Sequence, residues 1–174
     1  MSGLQEFAAL VAKVDAKVAE IAERQSGNLA CRVGCHSCCA PGLTITAVEA
    51  AAIRAHLQAE PAALAAVREL ARTLPWRQTR CTLLDAAGGC SIYPARPLVC
   101  RTQGLPIQWA PGELSCCELN FVGGLHEVPA ADRVDQRTLS TLLFVVDKRA
   151  GGGARRELSL AGLTAAPEPP SPEP

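Results

Sequence analysis

Aromatic side chains are scarce in this chain: three Phe, two Trp and one Tyr among 174 residues. That is too few for the stacking platform on which single-stranded nucleic acid is bound. Excess charge is missing too. Seventeen basic residues are matched by seventeen acidic ones, so no bulk field draws the chain to nucleic acid or to anionic lipid. No run of about 18 apolar residues occurs, and no segment reads as a membrane span. The opening residues lack a basic stretch, and Lys13, Asp15 and Lys17 interrupt any apolar leader. No signal peptide is read, and the expected location is the cytoplasm. Also missing are a Ser/His/Asp order, a phosphate-cradling glycine loop, a dinucleotide fingerprint and an internal repeat. Enzymatic activity is left open, and a free-standing enzyme ranks below a binding protein because no acid–base pair or partnered nucleophile can be named.

Cysteine is what the chain has in excess, at nine residues. Four of them form Cys31-x3-Cys35-x2-Cys38-Cys39. On a helix these offsets share one face. In a loop, Cys35 and Cys38 form a C-x2-C knuckle whose two thiolates reach one ion. Asn28 is a candidate helix cap and Pro41-Gly42 a stop, whereas Gly34 favours a loop. The other five are Cys81, Cys90, Cys100, Cys116 and Cys117. An odd count argues against a complete disulfide framework, and in a reducing compartment clustered thiols more often hold metal.

The rest of the chain reads as the scaffold for these sulfurs. Leu4, Phe7, Val11, Val14, Val18 and Ile21 give a narrow apolar stripe over residues 3–25, a helix packed on the core or, in the sharper reading, a dimer seam. Thr46 and Glu49 match a capping box and predict a helix over 47–59 with Val48, Ala52, Ile53 and Leu57 inward. Pro61 opens the next helix, faced by Leu64, Val67, Leu70, Ala71 and Leu74 and stopped at Pro75. Residues 81–84 and 90–93 read as two short strands joined by a turn from Asp85 to Gly89, a hairpin that would bring Cys81 and Cys90 together. A fixed turn through Pro94, Arg96 and Pro97 leads to one helical turn at Cys100-Arg101. Residues 102–128 read as irregular and in need of a metal to hold them. A helix is expected over 130–149, with Val134, Leu139, Leu142, Leu143 and Val146 on one side. Gly151 to Gly153 break it, and the Pro/Glu-rich end is expected to be disordered.

The expected architecture is mainly α: a small irregular helical domain with one short β-hairpin, organised around a cysteine-bound metal or cluster. Its divisions are an N-terminal amphipathic helix (1–27), a cysteine-cluster metal-binding domain (28–150) and a flexible tail, Gly-rich and then Pro/Glu-rich (151–174).

Soft thiolates select zinc, copper(I) or iron–sulfur centres over magnesium or calcium. Adjacent cysteines do not both face one mononuclear ion readily, so the 38/39 and 116/117 pairs suggest two centres or one polynuclear cluster. Cys116 or Cys117 is the candidate spare. Several thiolates on one cation leave excess negative charge. Arg32, Arg96 and Arg101 are placed to offset it by donating to sulfur, with Arg80 beside Cys81. His36 is a solvated loop residue or a replacement ligand, and His56 and His126 read as structural.

Taken together, Cys31-x3-Cys35-x2-Cys38-Cys39 followed by Cys81 and Cys90-Ser-Ile-Tyr-x2-Arg96-Pro-x2-Cys100-Arg101 resembles the YkgJ-type cysteine-cluster family, described as zinc- or iron-chelating domains and often labelled iron–sulfur proteins. The likeness runs from residue 31 to about 117. Eight cysteines are shared in that family, which implies Cys31, Cys35, Cys38, Cys39, Cys81, Cys90, Cys100 and one of Cys116 and Cys117 as the ligand set. Ala40-Pro-Gly extends the motif no further. Flagellin lysine methylases carry a similar pattern in a longer chain. The first functional reading is an iron–sulfur protein with a redox or accessory role, working with a protein redox partner. The alternatives are a zinc-bound structural or interaction module, and a metal store or chaperone.

Overall fold

The computed structural model describes residues 2–32, 34–73, 80–159 and 162–163. Among them are five α-helices and a few short strands. The first helix, α1, spans Gly3–Arg24. It starts where Ser2 and Gln5 cap one another, the Ser2 amide donating to Gln5 Oε1 at 2.7 Å and the Gln5 amide to Ser2 Oγ at 3.3 Å. Its buried residues are Phe7, Leu10, Val14 and Ile21, so the stripe is spent on the protein's own core. Leu4, at the end of the stripe, stays exposed and Leu10 takes its place.

Helix α2 spans Ala47–Ala59 and α3 spans Pro61–Thr73. They begin where the capping box and Pro61 predict. Val48, Ile53 and Leu57 of α2 are buried, with Ala50 in place of the expected Ala52, and Val67 is the fully buried anchor of α3. The side chains expected inward at Leu70, Ala71 and Leu74, and the stop at Pro75, lie outside the described residues. Helix α4 is the single turn Leu98–Thr102, and α5 spans Gln136–Arg149.

Strands are short. Strand β1 (Thr44–Ile45) pairs antiparallel with β5 (Arg156–Glu157), Thr44 opposite Glu157. A second sheet has the order β3-β2-β4. Here β2 (Ile107–Ala110) and β3 (Glu113–Ser115) form an antiparallel hairpin, and β4 (Val134–Asp135) joins β2 in parallel, Ile107 opposite Val134. The hairpin thus lies at 107–115, inside the stretch expected to be irregular. The one expected at 81–93 is reduced to a single bridge between Leu84 and Cys90. The lead-in to α5 is likewise a 3-10 turn (Ala130–Asp132) and a strand, not helix.

Among the described residues two apolar clusters make the core. One joins α1, α2, α4, α5 and the second sheet through residues such as Phe7, Ile21, Val48, Leu98, Ile107 and Leu139. The other joins α2 and α3 to the cysteine segments through Ile53, Val67, Cys81, Leu83, Leu84 and Ile92. Leu158 and Leu163 are buried in this second cluster, so part of the stretch expected to be tail packs on the core. Residues 167–174, where disorder was expected, lie outside the described residues. No helix among the described residues is long and apolar enough to cross a membrane.

Candidate metal centre

The first cysteine segment is a chain of turns, not a helix. Gly34 takes φ +84°, a left-handed value that a side chain resists. The Cys35 amide donates to Arg32 O and the Cys39 amide to His36 O, each at 3.0 Å. The second segment is tied to it directly, by the Cys81 amide donating to Cys39 O at 2.8 Å. Between Leu84 and Cys90 the chain reverses around Asp85, whose Oδ1 accepts from the amides of Ala87 and Gly89 at 2.9 and 2.7 Å. Gly88 (φ +82°) is fixed by space, since a Cβ there would stand 2.5 Å from the His36 ring. Arg80 Nη1 stands 2.8 Å from Nε2 of that ring. Helix α4 supplies Cys100, whose amide donates to Pro97 O at 3.0 Å.

These segments enclose a cavity of about 410 Å³, lined by Cys35, Cys38, Cys39, Cys81, Cys90 and Cys100 together with Arg32, Tyr93 and Arg96. Six thiols from three stretches of chain therefore meet at one place, and both members of the 38/39 pair take part. Cys31, Cys116 and Cys117 are not among the lining residues. Cys31 and Cys116 are instead joined through Asn120: Cys31 Sγ lies 3.2 Å from Asn120 Nδ2, and Cys116 Sγ lies 3.6 Å from Asn120 O. None of the nine cysteines is in a disulfide.

The three arginines are placed differently. Arg32 lines the cavity. Arg96 lies with Cζ 3.5 Å from the centre of the Tyr93 ring, donates from Nε to Tyr93 O at 3.1 Å, and acts electrostatically on Cys38, Cys90 and Cys100. Arg101 spends its donors elsewhere. They go to the carbonyls of Arg96 and Pro94, at 2.7 and 2.6 Å, and to both Asp15 oxygens, at 2.9 and 2.6 Å. It fixes the backbone that carries Arg96. His126 is exposed and lies 3.8 Å from Glu127.

Thiols this close compete for charge. The hydrogen bond between Cys39 and Cys38 brings Cys38 down to about 6, against the opposing effect of burial and with help from Arg96. The same bond, burial and the neighbouring Cys38, Cys81 and Cys90 push Cys39 up. Burial first, then Cys81 and Cys90, pushes Cys100 up to about 12. Burial raises Cys90 and Cys116 as well. A set of sulfurs that cannot all ionise together is one to which a cation would restore balance. The donor chemistry fits such a cation. Among the described residues the lining includes six thiols and neither carboxylate nor imidazole, which suits zinc or iron–sulfur centres rather than magnesium or calcium. Among the described residues no three His, Cys, Asp or Glu side chains already stand in a metal-holding group, so the segments would have to draw together on binding.

Residues 30–123 match the model of the CxxCxxCC family, described as "Putative zinc- or iron-chelating domain". More than half of the chain is covered. The chain belongs to this family. No curated protein and no solved structure matches it. The matched stretch of the CxxCxxCC domain takes in all nine cysteines, the Asn120 junction and the residues that line the cavity apart from Leu158. Three of its features were not read from the sequence. Gln103 lines the cavity, Glu49 carries a carboxylate that tethers α4, and Asn120 meets Cys31 from 89 positions away. Only Glu49 had a signal, as half of a capping box.

Proposed function

We propose that the protein binds an iron–sulfur cluster through the thiols of its CxxCxxCC domain and serves in a redox or accessory role beside a protein partner. The unit concerned is residues 28–150, with the helix before it as support. Cys35, Cys38, Cys39, Cys81, Cys90 and Cys100 are the principal ligand candidates, with Cys31 and Cys116 or Cys117 completing the set. Such a cluster would supply one-electron transfer. The observation that carries this reading is six thiols around one cavity with the adjacent Cys38 and Cys39 both among them: sequence neighbours do not readily face one tetrahedral ion, and a polynuclear cluster accommodates the pair more easily. Arg32 and Arg96 would moderate the negative charge of the bound group. Free thiols in this number also fit a reducing compartment, the cytoplasm.

The test is anaerobic purification followed by a visible spectrum and analysis of iron, zinc and acid-labile sulfide. Broad sulfur-to-iron absorption with sulfide present is expected. A colourless protein holding stoichiometric zinc would replace the cluster by a zinc module. Rapid surrender of metal to a chelator with the fold intact would mark a store or chaperone.

A further inference from the structure

Cys31 stands outside the cavity lining, yet its sulfur has a more closely defined environment than its exposure suggests. Asn120 is 2% exposed. Its Oδ1 accepts from the Ala30 amide at 2.8 Å, and its Nδ2 donates to Gly104 O at 2.7 Å. Those two partners fix which way the side-chain amide faces, because an N–H requires the oxygen and a carbonyl requires the nitrogen. One N–H of Nδ2 is left over. Cys31 Sγ lies 3.2 Å from that nitrogen and 3.8 Å from Oδ1, so the sulfur sits on the donor side and acts as acceptor. Gly104 completes the fit. Its φ is +97°, and a Cβ on it would stand 2.9 Å from Cys31 Sγ and 3.1 Å from Asn120 Nδ2. The turn that carries Asn120 is held to the same segment by the Phe121 amide, which donates to Asn28 O at 2.8 Å.

We infer that Asn120 is a positioning residue for Cys31: it aims the sulfur and donates a hydrogen bond to it in the metal-bound state. The inference rests on the reading of Cys31 as a metal ligand. Partners of this kind hold a ligating sulfur in place and offset its charge, and their loss typically lowers metal affinity about 10- to 100-fold.

The experiment measures zinc affinity by competition with a chromophoric chelator for the full-length wild type, Asn120→Leu, Cys31→Ala and the double variant. A loss of about 10- to 100-fold is expected for Asn120→Leu, and almost no further loss when the same substitution is added to Cys31→Ala. Equal losses in both backgrounds would overturn the inference, since a merely structural Asn120 acts whether or not Cys31 is present. A wild type that takes up neither zinc nor iron would instead sink the metal reading itself, and this inference with it. Should Asn120→Leu fail to fold, the wild type loaded with spin-half cadmium decides. A scalar coupling between the Asn120 side-chain amide proton and the metal, transmitted through Cys31, is expected, and its absence from the cadmium-loaded protein overturns the inference.

Discussion

Arg101 reaches three parts of the fold at once: the carbonyls of Pro94 and Arg96 and the carboxylate of Asp15 on α1. Its side chain is 8% exposed, whereas that of Asp15 is 47% exposed, and this difference decides which bonds matter. The half-exposed ion pair is screened and contributes about 0–1 kcal/mol. The bonds to the two carbonyls go with the guanidinium, at about 0.5–1.5 kcal/mol each. Arg101→Lys should therefore lower unfolding free energy by about 2 kcal/mol and Asp15→Ala by less than about 1 kcal/mol; equal effects in urea melts would show that the ion pair, and not the backbone contacts, holds the turn. Asp132 offers a pH-dependent counterpart. It is buried, and hydrogen bonds from Gln25 first and from Arg24 hold its carboxyl below the ordinary 3.8. A native value below the unfolded one means that the carboxylate stabilises the fold above pH 3.8, and that this stabilisation fades as pH falls through the lowered native value. The stability gap between wild type and Asp132→Asn should be open at neutral pH and close in acid; a gap that stays constant would remove the carboxylate's charge from the account.

Between elements, the most consequential joint is Glu49. Its Oε2 accepts from the Thr46 amide and hydroxyl, both at 2.9 Å, and its Oε1 from the Leu98 amide, also at 2.9 Å. One buried carboxylate thus closes the start of α2 and the start of α4, the turn that carries Cys100. Asp147 of α5 adds a second clasp by accepting from the Val48 amide at 2.8 Å. Glu49→Ala removes a cap and orphans the Leu98 amide, so a loss of about 3 kcal/mol is expected. Glu49→Gln, which keeps an accepting oxygen, should lose clearly less; similar melting points for the two variants would mean that the charge alone matters. This joint also marks how far the sequence could be read. The capping box, Pro61 and the apolar spacing place α1, α2 and α3 because those signals act within a few residues. The hairpin was misplaced because β2 finds β4 across the chain, Ile107 opposite Val134, while Pro111 and Gly112 look like loop residues from either side. Around Cys81 and Cys90 the apolar residues were visible, but they serve burial (Leu83 and Leu84) rather than a ladder. The cysteines announce a soft-metal site by number and spacing. Their division into six at the cavity and others at Asn120 depends on packing between distant segments, which no local pattern encodes.

At the scale of the whole molecule, the division of the core predicts how metal and fold are coupled. Cys81 belongs to the cluster with Ile53, Val67 and Ile92, and Cys39, Cys90 and Cys100 pack against it. The cluster around Phe7, Ile21, Leu98 and Leu139 contains no cysteine. Removing metal should therefore loosen one half of the interior and leave the other standing. A metal at about 1,000 times its dissociation constant stabilises by about 4 kcal/mol, which for a domain of this size corresponds to a fall in Tm on the order of 10 °C when it is stripped. The stripped protein should nevertheless keep most of its helical circular dichroism. Amide exchange should quicken over residues 31–43 and 81–100, where turns and single bridges depend on the thiols being held. Amides in the middle of α1 and α5 should stay protected, because Phe7, Val14, Ile21 and Leu139 remain buried against each other's elements. The alternative is an all-or-none domain in which metal nucleates everything, as in small zinc-dependent folds. It predicts loss of the helical signal and uniform exchange on chelation, and that outcome would require the two clusters to behave as one cooperative unit.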